Sequence, residues 1–556
     1  MHRANIPCGG HNATASSECS TGGAGNAIER ACSNLASLQG TTLAWALLAK
    51  QSSRLPSLKT LQYRHRRRSQ DRREKVASPV GSCSNVKRAG LCLLNISRPN
   101  NLHFAAPFGL FVYGVMGSEQ NALRQSGIYR NLPVFDSSHK GLRAIVVGAT
   151  GISGFNTMRS LLDTPDRWSM VYAVSRSPLS SEMLSLLSQQ QQARIKHVSI
   201  DLTGEADEIS ASLRRANVEA DHVFFYGYIH PKGKSAMDPN MADALTDANV
   251  PILRNFLAAL APANIHPKRI LLQTGGKNYG GHIGRAKTPY IESDPQPKHL
   301  SNNFYYPQEE ALFKHCRENP DTHWNIIMPF GVIGAVPSAG INSFGPFAVY
   351  AAVEGKKGNP LKFSSDIAAW QGEYCHSTAR LTGYLSEWAV LEEKCKDQRF
   401  NAQDGSPMSW ADFFPELARW YGAAGVIGPE LDESKFKTIE LAGGKDCPLG
   451  YGPPPCIKLS RTFADWAQHH ANQDAWKQIM DDSKGNVKID VFEAGLDVEM
   501  ADFIFYRIGQ PSVAKLRRFG FNGFVDTVES IFEMYQDMAK MGVIPAPCVD
   551  AAKPMV

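Results

Sequence analysis

A short apolar run followed at once by spaced glycines is the feature that most constrains how this chain folds. Residues 142–148 read LRAIVVG, and Gly148, Gly151 and Gly154 give the spacing GxxGxxG. Such a continuous apolar run is typical of a strand that is buried on both faces of a parallel sheet. A glycine-rich turn between this strand and a helix predicts dinucleotide binding, with the pyrophosphate at the helix N-terminus. The alternative is a glycine-rich turn without a ligand.

Further apolar runs follow, and helical patterns separate the later ones. Strands are predicted at 169–176, 194–202, 221–229, 268–276 and 324–334. Helices are predicted between the last pairs of these strands, at 242–261 and 306–319. Strands that alternate with helices form right-handed βαβ units. The sequence therefore predicts the α/β class, with a doubly wound parallel sheet.

The chain divides into three predicted segments. Residues 1–139 are predicted to be a disordered basic extension, because residues 1–115 carry 15 Lys and Arg against four acidic residues, a net charge of +11 that leaves −5 for the remainder. Residues 140–335 form the predicted nucleotide-binding domain. Residues 336–556 are predicted to be a smaller, mostly helical substrate-binding region, in which a strand near 396–405 returns to the sheet. Its predicted helices lie at 378–394, 409–422, 462–480 and 524–542.

The basic extension leaves several interpretations open. The run YRHRRRSQDRREK at 63–75 is interpreted as a solvated charged segment, and an organelle transit segment or a nucleic-acid patch is the alternative. A true start at Met116, with the extension an artefact of the gene model, is a further alternative. No stretch of about eighteen apolar residues occurs, so no membrane span is predicted and a cytoplasmic location is expected. The 11 cysteines include no Cys-x-x-Cys pair, so no metal site is predicted.

The end of the second strand distinguishes between the two nicotinamide cofactors. It reads AVSRSP, with Ser175 and Arg176 where an NAD enzyme would place an acidic residue for the ribose hydroxyls. A guanidinium beside a hydroxyl suits a 2′-phosphate, so NADP(H) is predicted, and a solvent-exposed arginine is the alternative. Asp201 and Leu202, at the end of the third strand, are predicted to meet the adenine. A capping role is the alternative for Asp201.

The segment NNFYYPQEEALF raises the question of where a catalytic cation comes from. Short-chain dehydrogenases use Tyr-x-x-x-Lys, but here Glu309 and Glu310 stand four residues after Tyr305 and Tyr306. The cation is predicted to be Lys277 in LLQTGGKNYGGHIG, because ligands bind at the C-terminal edge of a parallel sheet. A hydroxyl donor backed by an ammonium can hold a carbonyl oxygen as it becomes an enolate. A solvated loop lysine and an ordinary half-buried aromatic residue are the alternatives.

Three motifs together resemble the progesterone 5β-reductase/iridoid synthase-like family of atypical extended short-chain dehydrogenases. GATGISG resembles the family's GxTGIxG loop, TGGKNYGG its TGxKHY segment, and NFYYPQEE its NFYYxxED segment. The resemblance covers about residues 140–548 and implies a Rossmann fold of the extended type. It also implies that Lys277 is the catalytic lysine and Tyr306 the catalytic tyrosine, with Tyr305 as the second candidate.

The resemblance also implies further contacts. Cofactor binding is expected to involve Thr150, Ile152, Pro329 and Val332 in addition to the glycines. Four aromatic residues are predicted to line the substrate pocket, although each could equally belong to the core: Tyr226, Tyr228, Phe330 and Phe344.

The chain departs from the family pattern in three places. Asn278 stands where the family has histidine, and Met328 stands where it has arginine. Tyr226 or Tyr228 stands where the family usually has tryptophan. The third departure concerns the pocket and therefore the choice of substrate.

The expected function is NADPH-dependent reduction of an activated carbon–carbon double bond in a small secondary-metabolite substrate. Hydride would reach the β-carbon of an enone or enal while Tyr306 binds the carbonyl oxygen and Lys277 stabilises the negative charge. Carbonyl reduction or epimerisation on the same fold is one alternative, and a non-catalytic nucleotide-sensing regulator is another. The expected partner is a small molecule with an activated double bond or carbonyl. No metal, membrane or nucleic acid is expected, and a homodimer is left open.

Overall fold

The computed structural model describes residues 122–231, 241–338, 342–440, 447–453, 456–494, 500–505 and 509–554. These residues all belong to one compact unit. Their strands are β1 (Leu123–Ser126), β2 (Tyr129–Pro133), β3 (Leu142–Val147), β4 (Trp168–Ser175), β5 (Ile195–Ser199), β6 (His222–Phe225), β7 (Arg269–Gln273), β8 (His323–Met328), β9 (Val332–Ile333), β10 (Leu361–Lys362), β11 (Ser377–Thr378), β12 (Gln398–Asn401), β13 (Val426–Ile427), β14 (Lys437–Glu440) and β15 (Cys456–Leu459).

The helices of the same residues are α1 (Ile152–Leu162), α2 (Ser181–Leu184), α3 (Gln189–Gln192), α4 (Ala206–Arg215), α5 (Ala242–Leu260), α6 (Tyr305–Glu318), α7 (Gly345–Lys356), α8 (Ile367–Trp370), α9 (Ala379–Leu391), α10 (Trp410–Tyr421), α11 (Phe463–Ala467), α12 (His470–Asp482), α13 (Val491–Ala494), α14 (Met500–Phe503), α15 (Ala514–Phe519) and α16 (Thr527–Lys540). Short 3₁₀ turns lie at Gly276–Tyr279, Glu393–Cys395 and Glu433–Lys435.

Seven parallel strands form the central sheet in the order β12-β8-β7-β6-β3-β4-β5. The chain runs outward from β3 to β5 and then returns to β6 on the other side of β3. The strand order therefore reverses between β3 and β6, which is where doubly wound sheets bind their ligands. The doubly wound parallel sheet is confirmed. Strand β12, which lies within 396–405, pairs with β8 and forms one edge of this sheet.

The two faces of the sheet are both covered, and this explains the continuous apolar run in β3. Ala144 and Val146 pack into the core that contains α1 and α9, whereas Ile145 and Val147 pack into the core that contains α4, α5 and α6. A strand with two buried faces has no polar alternation.

A buried ion pair joins the first helix of the fold to the last. Arg159 of α1 and Asp537 of α16 are both buried, and Nη1 of the arginine lies 2.6 Å from Oδ2 of the carboxylate. Buried charges of this kind require a partner, because an unpaired ion in the protein interior costs several kcal/mol. The C-terminal helix therefore packs directly against the helix that follows the glycine turn.

The glycine turn is shaped by the chain's own backbone at two of its three glycines. Gly148 has a φ of +79°, and a Cβ there would lie 2.8 Å from the Tyr226 carbonyl oxygen. A Cβ on Gly154 would lie 2.2 Å from the Gly148 carbonyl oxygen. Gly151 differs, because its φ is −83° and a Cβ would meet only the Gly148 oxygen, at 3.4 Å. Gly148 and Gly154 are thus needed for folding, and the open side of Gly151 leaves room for a ligand.

The described structure begins earlier than the residue 140 that the sequence indicated. Residues 122–133 form an antiparallel hairpin of β1 and β2, in which Tyr129 and Leu132 are buried. Backbone hydrogen bonds between Arg130 and Phe524 join the hairpin to the C-terminal region. Such short strands carry too few apolar residues for a clear alternating pattern. The remainder of the predicted basic extension lies outside the described residues.

The predicted helix 462–480 is divided into α11 and α12. At the break, the Asn472 side-chain amide donates to the Trp466 carbonyl (2.7 Å), and the Gln473 amide donates to the Ala467 carbonyl (3.0 Å). Side-chain amides that satisfy the last carbonyls of a helix compete with continuation of the backbone ladder. The periodicity of the sequence continues across this break and could not reveal it.

The glycine geometry predicts different effects for two similar substitutions. Gly151→Ala is expected to retain the fold but to weaken cofactor binding about tenfold or more, because its methyl group would enter the space that a pyrophosphate occupies. Gly154→Ala is the matched comparison, and it should lower the thermal unfolding temperature because its Cβ overlaps the Gly148 carbonyl. Circular dichroism melts and NADPH fluorescence titrations measure the two effects. Wild-type NADPH affinity in Gly151→Ala would contradict the assignment of the turn.

Candidate active site

Lys277 lies in the 3₁₀ turn that follows β7. The backbone N–H of Asn278 donates to the Gly275 carbonyl (2.9 Å), and the backbone N–H of Gly280 donates to the Lys277 carbonyl (3.1 Å). Burial lowers the pKa of the Lys277 ammonium, which has no hydrogen bond or ion pair with any residue that the structure describes. The turn therefore places a partly desolvated cation at the C-terminal edge of the sheet.

The helix α6 and the residues before it hold this turn in place. The Asn303 side-chain amide donates to the Lys277 carbonyl (2.9 Å), and its carbonyl oxygen accepts from the Tyr305 amide (3.1 Å). The Tyr306 hydroxyl donates to the backbone carbonyl of Asn278 (3.2 Å). A single side chain, that of Asn303, thus binds both the lysine turn and the first turn of the helix.

The position four residues after Tyr305 is occupied by a buried carboxylate. Glu309 is 1% exposed, accepts from Arg399 of β12 (Nη2 to Oε2, 2.5 Å) and accepts from the Gln296 amide (2.8 Å). Burial raises the pKa of Glu309, and the Arg399 charge opposes that shift. The same Gln296 amide donates to Oδ1 of Asn278 (2.8 Å). Glu309 therefore cannot supply a cation, but it is connected to the turn that does.

The two adjacent tyrosines have different surroundings. Tyr306 is buried, its proton is donated to the Asn278 carbonyl, and burial raises its pKa to about 12. Tyr305 projects from another face of α6, and its hydroxyl oxygen lies 3.1 Å from the position that a Cβ on Gly275 would take. Burial also raises the pKa of Tyr305, and its hydroxyl has no hydrogen bond to the residues described here. Both phenols thus reach the segment after β7: the Tyr306 hydroxyl is bonded to Asn278, and the unbonded Tyr305 hydroxyl lies at Gly275.

The predicted cofactor contacts at the ends of β4 and β5 lie close together. The Arg176 side chain is exposed, and the Ser175 hydroxyl donates to the Ser177 carbonyl (2.7 Å). Asp201 accepts from the Thr203 amide (3.0 Å) and hydroxyl (2.8 Å), and these bonds, with a smaller contribution from Arg176, lower its pKa. Asp201 thus closes a turn with Thr203 and is not a helix cap, because the cap position before α4 is Glu205. Its contact with the adenine stays a prediction.

Three other predicted cofactor residues, Thr150, Ile152 and Leu202, lie at or near the glycine turn. Thr150 precedes Gly151, and Ile152 is the first residue of α1. Leu202 is half-buried, and its Cδ1 lies 3.1 Å from the position of a Cβ on Gly227, just after β6. The first helical turn that these residues flank has amide groups without intrahelical partners, which suits an anionic pyrophosphate.

The segment that follows β8 packs beside the lysine turn. The Pro329 carbonyl oxygen lies 3.4 Å from the position of a Cβ on Gly275, and the Phe330 ring lies 2.6 Å from that of a Cβ on Gly276. Val332 begins β9 and pairs with β11. Glycine at position 276 therefore permits this close approach.

The predicted pocket aromatics divide into two groups. The Tyr226 hydroxyl accepts from Thr157 of α1 (2.9 Å) and donates to Ser386 of α9 (3.3 Å), and its half-buried side chain packs against the core. Phe344 is 1% exposed and packs within the aromatic core of the helical region. Tyr228 is 45% exposed and lies beside the helix that carries Tyr305, and the Phe330 ring packs against Gly276 of the lysine turn.

Several residues of the site escaped the sequence analysis. The Gln273 amide donates to the Ser153 hydroxyl (2.8 Å) and joins the end of β7 to α1. Burial, assisted by the Lys277 charge, lowers the pKa of His282 to about 4, so a neutral imidazole lies near the lysine. Gln296 lies in an irregular segment without a periodic pattern, and only the structure shows its contacts. Gln273 is the last residue of β7, whereas the predicted strand continued to residue 276.

The helices and the titratable side chains of the described residues also bear on membrane and metal binding. Within these ranges, no helix combines the length and the apolar character that a membrane crossing requires. Nor does any group of three or more His, Cys, Asp and Glu side chains in this part of the chain form an arrangement suited to a metal ion.

The sequence of this chain is similar to those of several known proteins. A family model described as a PRISE-like Rossmann-fold domain matches residues 144–441. A short chain dehydrogenase of Penicillium aethiopicum is 26% identical over 408 residues, which are 72% of this chain and 99% of that protein. An (S)-8-oxocitronellyl enol synthase of Nepeta racemosa is 31% identical over 305 residues, covering 53% of this chain and 73% of its own. A 3-oxo-Delta(4,5)-steroid 5-beta-reductase of Arabidopsis thaliana is 28% identical over 310 residues, covering 54% and 74%.

The fold and these relatives support an oxidoreductase of the short-chain dehydrogenase/reductase type with a nicotinamide cofactor and a small-molecule substrate. The extended Rossmann architecture expected from the sequence is confirmed. The chain belongs to the progesterone 5β-reductase/iridoid synthase-like family, whose shared domain is the PRISE-like Rossmann fold.

Proposed function

We propose that this protein is an NADPH-dependent reductase of carbon–carbon double bonds conjugated to a carbonyl group. One observation carries the proposal. The Tyr305 hydroxyl has no hydrogen bond to a described residue and lies against Gly275, which precedes the half-buried Lys277 by two positions. The similarity to a 3-oxo-Delta(4,5)-steroid 5-beta-reductase adds support, because a 3-oxo-Delta(4,5)-steroid is itself an enone. The substrate class is therefore enones and enals.

The two side chains have complementary roles in this reaction. The bound cofactor supplies the hydride, which reaches the β-carbon. Tyr305 donates a hydrogen bond to the carbonyl oxygen, and the Lys277 ammonium stabilises the negative charge as the enolate forms. Solvent then supplies the proton at the α-carbon. Tyr306 is unsuited to the role of Tyr305, because its proton is donated to the Asn278 carbonyl.

The preference for NADPH rests on charge. The end of β4 presents the exposed guanidinium of Arg176 and has no carboxylate between Ser175 and Pro178. A cation at this place attracts a 2′-phosphate, whereas an acidic residue would repel it. The nearby Asp201 carboxylate is already occupied by Thr203.

The two tyrosines provide a matched pair of substitutions. Tyr305→Phe is expected to lower kcat by ~10²–10³ with unchanged NADPH affinity, because it removes the donor to the developing oxyanion. Tyr306→Phe loses only a hydrogen bond to the backbone. It should mainly lower the unfolding temperature and should reduce kcat less than Tyr305→Phe does. NADPH oxidation is followed at 340 nm over a panel of enones, enals and simple ketones, with product analysis.

The panel also tests the reaction type. A saturated ketone or aldehyde is the expected product, and an allylic alcohol would show carbonyl reduction instead. Wild-type turnover in both Tyr305→Phe and Lys277→Ala would refute the proposed chemistry. Loss of turnover in Tyr306→Phe with normal turnover in Tyr305→Phe would restore the assignment that the family resemblance gave.

Cofactor preference is tested at Arg176. Arg176→Ala is expected to raise the KM for NADPH about tenfold or more, because a charge-assisted hydrogen bond contributes about 1.5–3 kcal/mol, and to leave the KM for NADH unchanged. Arg254→Ala, which removes an exposed arginine of α5, is the control. Equal changes for both cofactors in Arg176→Ala would show that this residue does not contact the 2′-phosphate.

A further inference from the structure

The lysine turn is bound by one face of α6 and of the residues leading into it. Asn303, Tyr306 and Glu309 follow one another at intervals of three, and residues with this spacing lie on the same side of a helix. Asn303 binds the Lys277 carbonyl and Tyr306 binds the Asn278 carbonyl. Glu309 reaches the same turn only through another residue, Gln296.

Gln296 uses its amide group as a bridge with a fixed direction. A side-chain amide has two N–H donors on its nitrogen, and here one points to Oδ1 of Asn278 and the other to Oε2 of Glu309, both at 2.8 Å. An ionised carboxylate only accepts hydrogen bonds, so Glu309 prevents the Gln296 amide from turning its oxygen inward. Arg399 supports the ionised form, because its Nη2 lies 2.5 Å from the same Oε2 atom.

The donor direction of Gln296 also determines how the Asn278 side chain is oriented. Because Gln296 donates, the Asn278 side chain must turn its oxygen Oδ1 toward Gln296. The side-chain nitrogen Nδ2 of Asn278 then lies 3.5 Å from the sulfur of Met328. Asn278 is buried, and it is covalently joined to Lys277. The Asn278 side chain thus contacts Met328 of β8 directly and is joined to Glu309 of α6 through Gln296.

We propose that the Glu309–Gln296 bridge is a positioning element for Lys277, which holds the ammonium at the desolvated edge of the sheet. This inference rests on the proposed function of Lys277. Glu309 stands four residues after Tyr305, where Tyr-x-x-x-Lys enzymes carry their lysine. In this proposal its carboxylate helps to orient the Lys277 ammonium. Glu309 and Gln296 act through Asn278 and are positioning residues.

The test replaces each end of the bridge in the full-length chain. Gln296→Met removes both donors and retains the Glu309 charge, so that the turn relaxes and Lys277 becomes better hydrated. The pKa of Lys277 should then rise toward the ordinary lysine value, because desolvation is what lowers it. It is measured by NMR titration of ¹³C-dimethylated lysines, with Lys277→Arg to assign the signal. The other charged or titratable groups near this network are His282, Arg399, Lys298 and Tyr306, and all are retained.

Turnover with 2-cyclohexen-1-one and NADPH gives the second measurement. Gln296→Met and Glu309→Gln should each lower kcat about tenfold at unchanged NADPH affinity, because small displacements of a catalytic group are costly. The double variant should show no further loss, since both changes break the same bridge. Glu310→Gln is the matched control, because Glu310 is the exposed neighbour that pairs with Lys298 in solvent.

The outcomes separate this inference from the proposed function. If Gln296→Met lowers only the unfolding temperature and leaves the Lys277 pKa and kcat at wild-type values, the bridge is merely structural and the inference is overturned. If Lys277→Ala keeps wild-type turnover, the proposed function fails, while the titration of Lys277 still reports on the bridge. Loss of turnover in Tyr305→Phe and Lys277→Ala together with a normal Gln296→Met would overturn the bridge alone.

Discussion

The site depends on hydrogen bonds between the lysine turn and the face of α6 that adjoins it. In a Tyr-x-x-x-Lys motif, the helix itself fixes the distance between phenol and cation, because residues four apart lie one turn from each other. Here Lys277 and Tyr305 belong to different elements, so tertiary contacts must fix that distance. Asn303 does so most directly, since its side chain binds both the Lys277 carbonyl and the Tyr305 amide. A distance that one helix would set has been replaced by a distance that side-chain hydrogen bonds between two elements set.

Local patterns were sufficient to predict the framework. The continuous apolar run of β3 indicated a strand with two covered faces, and the glycines after it indicated the turn into α1. Lys277 was placed at the edge of the sheet because it directly follows a predicted strand. These features depend on residues that are close in sequence, where spacing carries the physical information. The hairpin before β3 is too short to give such a signal.

The rotation of α6 and the contacts between distant segments could not be predicted in this way. Neighbouring residues on a helix point about 100° apart, and the sequence does not say which of Tyr305 and Tyr306 faces the sheet. The family resemblance predicted Tyr226 in the pocket, with the core as the alternative, and only the structure shows that its hydroxyl bonds to α1 and α9. Asn278 and Met328 were seen as two separate departures from the family pattern, and the structure shows their side chains in contact.

The buried pair of Arg159 and Asp537 has a consequence for biosynthesis. The two residues are 378 positions apart, so the ribosome releases the nucleotide-binding helix long before the carboxylate that neutralises its arginine. Strand β12 likewise reaches the sheet only after most of the other strands have been made. Contacts of such long sequence separation delay cooperative closure and leave apolar surface open to wrong partners. The nascent chain is therefore expected to depend on chaperones until its last helix emerges.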